Sequence, residues 1–405
     1  MKKFLGFWTT QRENLRFLNE KRQEFAELEE LREKYPQPKL WKKIKMGEYG
    51  SPGLKFADLR NTGKMDILVI QAGRKGVSCL TAINIEGELI WQLGEPNSQQ
   101  DNKGGIFRLQ VYDIDADGKP EVVAVMENKL VVIEGATGRL KIWIPIPLAS
   151  PFEGLRHAKI DPVTFMGLYI VNFLGDNTRQ ILLKGGAYRG VWTYDHNLNL
   201  LWSLPSIWYG HHAAFYDVNG DGREEAVIGH NLVDGEGKII WRTEGSESLT
   251  EASYHVDCVV VGEIDGNKEN GPEVAMVCGD LGFLLLDKNG KIRQKDSVGH
   301  AQTLSVGNYR PDLKGLEIWV CTRWRNYGIR TLYSGEGKKI FSFEPDNSEG
   351  AGAPINWKGN GEELALHTSS KECFGLYDAF GRKVVEFPED GHPVGVPSYG
   401  HFFHQ

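Results

Sequence analysis

The sequence predicts an all-β chain, a β-propeller of seven blades preceded by one N-terminal α-helix. Three observations carry this. A period of about 45 residues runs down the chain, a length that signals propellers and other repeat arrays. Each repeat closes on a hairpin with Gly or Asn at its turn, as in INIEGELIW, YDHNLNLLW, VDGEGKIIW and LDKNGKIRQ. An aromatic recurs just after that turn, at Trp91, Trp143, Trp202 and Trp241. Short strands, tight turns and a repeated aromatic describe a four-stranded blade.

Each repeat begins with a short apolar strand that ends in an acidic turn, such as RLQVYDIDADGKPE or AAFYDVNGDGREE. A β-branched strand follows, as in ILVIQ, VVAVM or IWVCT, which reads as buried on both faces. The closing hairpin needs positive φ at its turn, which glycine supplies. The repeats fall near 46–97, 104–148, 152–204, 209–245, 253–297, 299–345 and 349–388. The segment SYGHFFHQ at 398–405 looks like the start of another repeat, so an eighth, incomplete blade is the alternative. Residues 1–40 form a helical extension and 41–405 the propeller. Thr10-Gln11-Arg12-Glu13 reads as a capping box. From there Leu15, Leu18, Phe25, Leu28 and Leu31 recur at helical spacing until Pro36 and Pro38.

The chain has 405 residues, 40% hydrophobic and 25% charged, with a net charge of -7. That balance argues against nucleic-acid binding through phosphates. No apolar stretch approaches the roughly 18 residues of a membrane span. The start, MKKFLGFWTTQREN, has an apolar run shorter than the roughly 7–15 residues of a secretory segment, so a cytoplasmic location is expected. The five cysteines have no CxxC spacing, and four lie in strand-like runs, so they read as small buried hydrophobes.

Two kinds of candidate site emerge. Asp113, Asp115, Asp117 and Glu121 place carboxylates at i, i+2, i+4 and i+8, and Asp217, Asn219, Asp221 and Glu225 repeat the spacing. Asp265 and Glu273 sit in a degenerate copy. Hard oxygens at alternate positions of a tight loop suit Ca²⁺. The competing reading is that Asp and Asn close the turn through their own hydrogen bonds. A bound calcium would be structural.

The second candidate lies at the opposite end of the first strands. His212 and Asp217, five residues apart in an extended strand, are about 16 Å apart and cannot share one small ion. The strand starts carry Arg108, Arg156 with His157, His211 with His212, His255 with Asp257, and His300 with Gln302. The second hairpin of each repeat reaches the same end and supplies Lys184, Tyr188, Arg323, Arg325 and Tyr327. A funnel lined by His, Arg and Tyr is a poor core and a good pocket for an anion. Nucleophile elbows, phosphate loops and dinucleotide fingerprints are absent. Metal catalysis by His255 and Asp257 with His212 or His300 is one alternative. The other uses His and Tyr as proton carriers and Arg as carboxylate partner, which is what β-elimination on a uronic acid requires.

The segments GHAQTLSVGNYRPDLKGLEIWV, SYHVDCVVVGEID and GHHAAFYDVNGDGREEAVIGHNLVDGEGKIIW resemble repeats of propeller polysaccharide lyases, above all the rhamnogalacturonan lyases. The acidic turns resemble FG-GAP type calcium loops. The resemblance implies a lyase cutting beside rhamnose at a uronic acid, often with Ca²⁺. By position His212, His255 and His300 match the family's histidine-bearing motifs, with Tyr188 as a further catalytic candidate. Arg108, Arg156, His157, His211, Arg323, Arg325 and Tyr327 are candidates for substrate binding. A non-catalytic binding propeller and a propeller rhamnosidase are the rival expectations.

Overall fold

The computed structural model describes residues 28–51, 53–73, 76–98, 109–147, 165–185, 190–204, 210–246, 254–323, 328–344, 350–367 and 373–388. Among these residues the chain is all-β apart from one short α-helix and two 3₁₀ turns. Twenty-eight strands run in seven antiparallel meanders of four: β1–β4 (Gly53–Gly94), β5–β8 (Leu109–Pro145), β9–β12 (Phe165–Leu204), β13–β16 (Ala213–Arg242), β17–β20 (Cys258–Asp296), β21–β24 (Ala301–Phe343) and β25–β28 (Ala353–Val385). A single parallel bridge, Val77 to Met126, joins the first two into one sheet. The four-stranded sheets match the repeats read from the sequence. The segment 398–405, on which the eighth repeat rested, lies outside the described residues.

Burial explains the two strand types. The second strands, such as β6 (Glu121–Met126) and β18 (Glu273–Val277), are buried almost throughout. Their near-continuous Val, Ala and Met runs fit strands covered on both faces. The fourth strands are sheet edges, and β8 (Leu140–Pro145) is largely exposed. The cores lie between consecutive sheets. Leu68 and Leu80 of the first sheet pack with Val122 and Val131 of the second, and Val125 and Leu130 of the second with Ile181 and Leu183 of the third. Each such fully buried aliphatic contributes about 1.5–3 kcal/mol relative to exposure.

The recurring tryptophan and the hairpin glycine are one device. Trp91 Nε1 donates to Gly135 O at 2.8 Å, and a Cβ on Gly138 would lie 2.6 Å from the Trp91 ring. Trp202 stands in the same relation to Gly235 and Gly237, and Trp241 to Lys288 and Gly290. In these three sheets the indole thus packs on the next sheet's hairpin, where only a residue without a side chain fits; Trp143 of β8 is instead exposed, with Lys129 Nζ 4.3 Å from its ring centroid.

The chain packs as two compact units. One is built on Lys42–Ile240, the other on Trp241–Val396 with the stretch up to Trp41, and the border falls inside β16 (Ile239–Arg242). In the second unit α1 (Leu28–Arg32) and the residues after it run along β28 (Lys383–Val385), the edge of the last sheet. Gln37 Nε2 donates to Val384 O at 3.0 Å, and its Oε1 accepts from Glu386 N at 3.2 Å. This side chain supplies the pairing that an edge strand would otherwise lack. The rest of the expected long helix, residues 10–27, lies outside the described residues.

Candidate active site

In the second to sixth sheets the first strand ends in a turn closed by a buried group at the start of the second strand. Glu121 Oε2 accepts from Ile114 N at 3.1 Å, Glu225 from Val218 N at 2.8 Å and Glu317 from Arg310 N at 2.7 Å. In the third sheet Gln180 does the same for Phe173 N at 2.7 Å. A neutral amide serves there, so turn closure does not itself require a charge.

The calcium-like loops can be tested on these bonds. Asp113 spends its oxygens on Asp117 N and Gly118 N, at 3.1 and 2.9 Å. Asp115 and Glu121 share the ammonium of Lys141, 2.8 Å from each. Against the cost of partial burial, these two carboxylates hold Lys141 well above the usual ammonium range. In the fifth sheet Arg293 Nη1 lies 2.9 Å from Asp265 and 2.8 Å from Glu273. In these two loops a tethered cation pairs with carboxylates that a divalent ion would need, while Asp113, Asp115 and Glu121 bring ligand oxygens within 4.8 Å of one another. The Asp217 loop differs. Asp217 accepts from Gly220 N, Asp221 N and Gly222 N, and the Asn219 amide donates to Glu225 at 2.9 Å and Asp221 at 3.3 Å. Burial, then Asp221 and Asp217, push the Glu225 carboxyl up.

At the opposite end of the sheets in the Trp241–Val396 unit, a second cluster assembles. His255 and Asp257 lie just ahead of β17 (Cys258–Gly262), and His300 just ahead of β21 (Ala301–Gly307). Two backbone bonds fix the His300 segment: Ala301 N to Gly279 O at 3.0 Å and Arg323 N to His300 O at 2.7 Å. Asp257, only 2% exposed, is the centre. His255 Nε2 lies 3.1 Å from its Oδ1, to which Gln302 Nε2 also donates. His300 Nε2 lies 3.8 Å from its Oδ2, and the two imidazole rings are 6.1 Å apart.

His300 is oriented from behind: its Nδ1 lies 2.8 Å from Asp280 Oδ1 in the β18–β19 turn. A carboxylate only accepts, so His300 carries its fixed proton on Nδ1 and His255 carries its own on Nε2. Two imidazoles of fixed tautomer beside a buried carboxylate can remove a proton at one point and return one at another.

His211 and His212 belong to the Lys42–Ile240 unit, immediately before β13 (Ala213–Tyr216). Arg323 follows β22 (Glu317–Thr322) and is half-buried. Arg108, Arg156, His157, Tyr188, Arg325 and Tyr327 lie outside the described residues. Lys184, read as a funnel tip, is buried at the end of β10 (Gln180–Gly185), where burial pulls its ammonium down to about 7. Sequence reasoning passed over Asp280, although it too sits at a second-hairpin tip. The one local signal of it is an acidic residue at the hairpin tip, in CGDLG.

The described residues thus form four-stranded antiparallel sheets with a histidine–carboxylate cluster at one end, and comparison shows which proteins the chain is similar to. Over 350 residues it is 25% identical to rhamnogalacturonan endolyase YesW of Bacillus subtilis (strain 168), covering 82% of this chain and 50% of that one. It is 24% identical to rhamnogalacturonan exolyase YesX of the same organism over 347 residues, 71% of this chain and 53% of that one. The crystal structure of YesW superposes with a TM-score of 0.59 at 20% identity, over 82% of this chain and 66% of that one. The V. cholerae biofilm matrix protein Bap1 shares the fold at a TM-score of 0.55 and 13% identity, over 82% of this chain and 80% of that one. No family model matches. The chain is similar to these rhamnogalacturonan lyases, and it spans about half the length of the curated relatives it matches.

Proposed function

We propose that the seven meanders are blades of a β-propeller, and that the protein is a polysaccharide lyase cutting rhamnose-rich, uronic-acid-containing oligosaccharides by β-elimination. The observation that carries this reading is the pair His255 and His300 converging on buried Asp257, with Asp280 behind His300. Similarity to two rhamnogalacturonan lyases supports the substrate class.

The chemistry asks for three things. A cation holds the C6 carboxylate and makes the C5 proton more acidic; Arg323 is the candidate beside His300, with Arg325 and Tyr327 next in sequence. One imidazole takes the C5 proton. The electron pair of that C–H bond becomes the C4–C5 double bond, and the C4–O bond breaks. The second imidazole protonates the departing glycosidic oxygen. Asp257 stabilises whichever imidazole is positively charged. The Ca²⁺ reading is confined to the Asp217–Glu225 loop, in a structural role.

The test is incubation with rhamnogalacturonan oligosaccharides while following ultraviolet absorbance. A 4,5-unsaturated uronate absorbs there and a hydrolysis product does not. Release of free rhamnose with no chromophore would sink the lyase assignment in favour of a glycosidase. A binding module, which the shared fold of a biofilm matrix protein keeps in view, would retain oligosaccharide and release nothing.

A further inference from the structure

A bulge recurs in the fourth strand of the sheets. Pairing of the fourth strand with the third skips one residue each time: Ile90 in β4, Leu201 in β12, Ile340 in β24 and Val384 in β28. In β8 and β20 (Ile292–Asp296) the skipped residue is Lys141 and Arg293. A bulge re-aims the side chain it carries. In these two sheets the re-aimed side chain reaches back to the acidic turn of its own sheet.

We propose that Lys141 and Arg293 are intrinsic counter-cations that stand where a divalent ion would stand in acidic loops of this spacing, so that the Asp113 and Asp265 loops take no calcium. This inference is independent of the lyase reading.

The other sheets stand in contrast. Where Gln180 replaces the carboxylate, the bulge residue is the apolar Leu201. Asp66 of the first sheet has an apolar bulge residue, Ile90, but is met by Arg60 of its own turn, at 3.1 and 2.8 Å. Glu225 is met by the Asn219 amide, and among the described residues no lysine or arginine pairs with Asp217, Asp221 or Glu225. In the second and fifth sheets the cation at the bulge meets a buried carboxylate that has no donor side chain from its own turn; in the sixth sheet Glu317 also lacks one, and its bulge residue is the apolar Ile340. Being tethered, the cation cannot dissociate as an ion would.

The experiment counts calcium bound per full-length chain by equilibrium dialysis and follows melting with calcium or chelator. Asp115→Asn and Asp265→Asn are expected to bind as much calcium as wild type; loss of one calcium per chain in either overturns the proposal. Lys141→Met and Arg293→Met are each expected to gain one bound calcium. Each should also gain a calcium-dependent rise in melting temperature of about 5 °C at roughly a hundredfold excess over the dissociation constant. Folded variants that gain no calcium overturn it as well. Should a methionine variant fail to fold, the dialysis count of wild type against Asp115→Asn and Asp265→Asn decides the matter alone.

Discussion

Asp280 holds His300 by its Nδ1, at 2.8 Å, and in doing so turns Nε2 toward Asp257. Asp280 touches no reacting atom in the proposed chemistry, so it is a positioning residue. Asp280→Asn offers His300 an amide in place of a carboxylate and releases the tautomer. We expect kcat to fall by about tenfold to hundredfold with KM little changed. Asp280→Glu should restore part of it. An unchanged kcat in Asp280→Asn would falsify the role.

His255 and His300 are expected to work as a unit. Each alanine variant should lose about 10²–10⁴ in kcat, the range for a positioned proton carrier. The double variant should fall little below the worse single one, since half of a proton relay has nothing to hand on. Initial rates from the ultraviolet assay measure this directly. Multiplicative losses would mean that the two imidazoles act separately.

How much of this was legible in the sequence follows from where each interaction runs. The seven meanders were readable because glycine turns, β-branched strands and the recurring Trp are local signals. The acidic spacing of the turns was readable, as calcium ligands or as Asp and Asn closing the turn, but closure by Glu121 and Glu225 was not. What the spacing did not disclose is that Lys141 and Arg293, three residues past a hairpin glycine, return to those turns. That contact depends on a bulge, and a bulge leaves no mark on composition. Asp280 escaped for a related reason. Its partner is 20 residues away and meets it only because Ala301 bridges Gly279.

Glu317 predicts a pH dependence of stability. It is fully buried at the start of β22, with Oε1 lacking a hydrogen-bond partner, and burial pushes its carboxyl up to about 7 from an unfolded value of 4.5. A raised folded value means the native state holds the proton more tightly than the unfolded chain. The stabilisation is complete below pH 4.5 and disappears as pH rises through 7. Glu317→Gln keeps an oxygen for Arg310 N, as Gln180 does for Phe173 N, and has no charge to bury. The variant should therefore exceed wild type by about 1–3 kcal/mol at pH 8, with the gap closing toward pH 5. Urea midpoints at the two pH values measure the gap; a constant difference would mean that Glu317 does not titrate in this window.

Gly237 and Gly220 separate backbone strain from packing within one sheet. Both have positive φ, +85° and +78°. A Cβ on Gly237 would lie 2.8 Å from Trp202 Cδ2, whereas one on Gly220 meets nothing within 4 Å. Gly220→Ala should cost only the left-handed backbone, about 1–2 kcal/mol. Gly237→Ala carries that cost and must also displace an indole anchored through Nε1 to Gly235 O, adding about 1–3 kcal/mol. Relieving the clash by Trp202→Ala would create a cavity, so a double variant should not recover wild-type stability. Urea unfolding of the three variants reads the difference as a shift in midpoint at constant slope. Equal costs for the two glycines would mean that the indole yields freely, and that the repeated Trp–Gly contact does not join one sheet to the next.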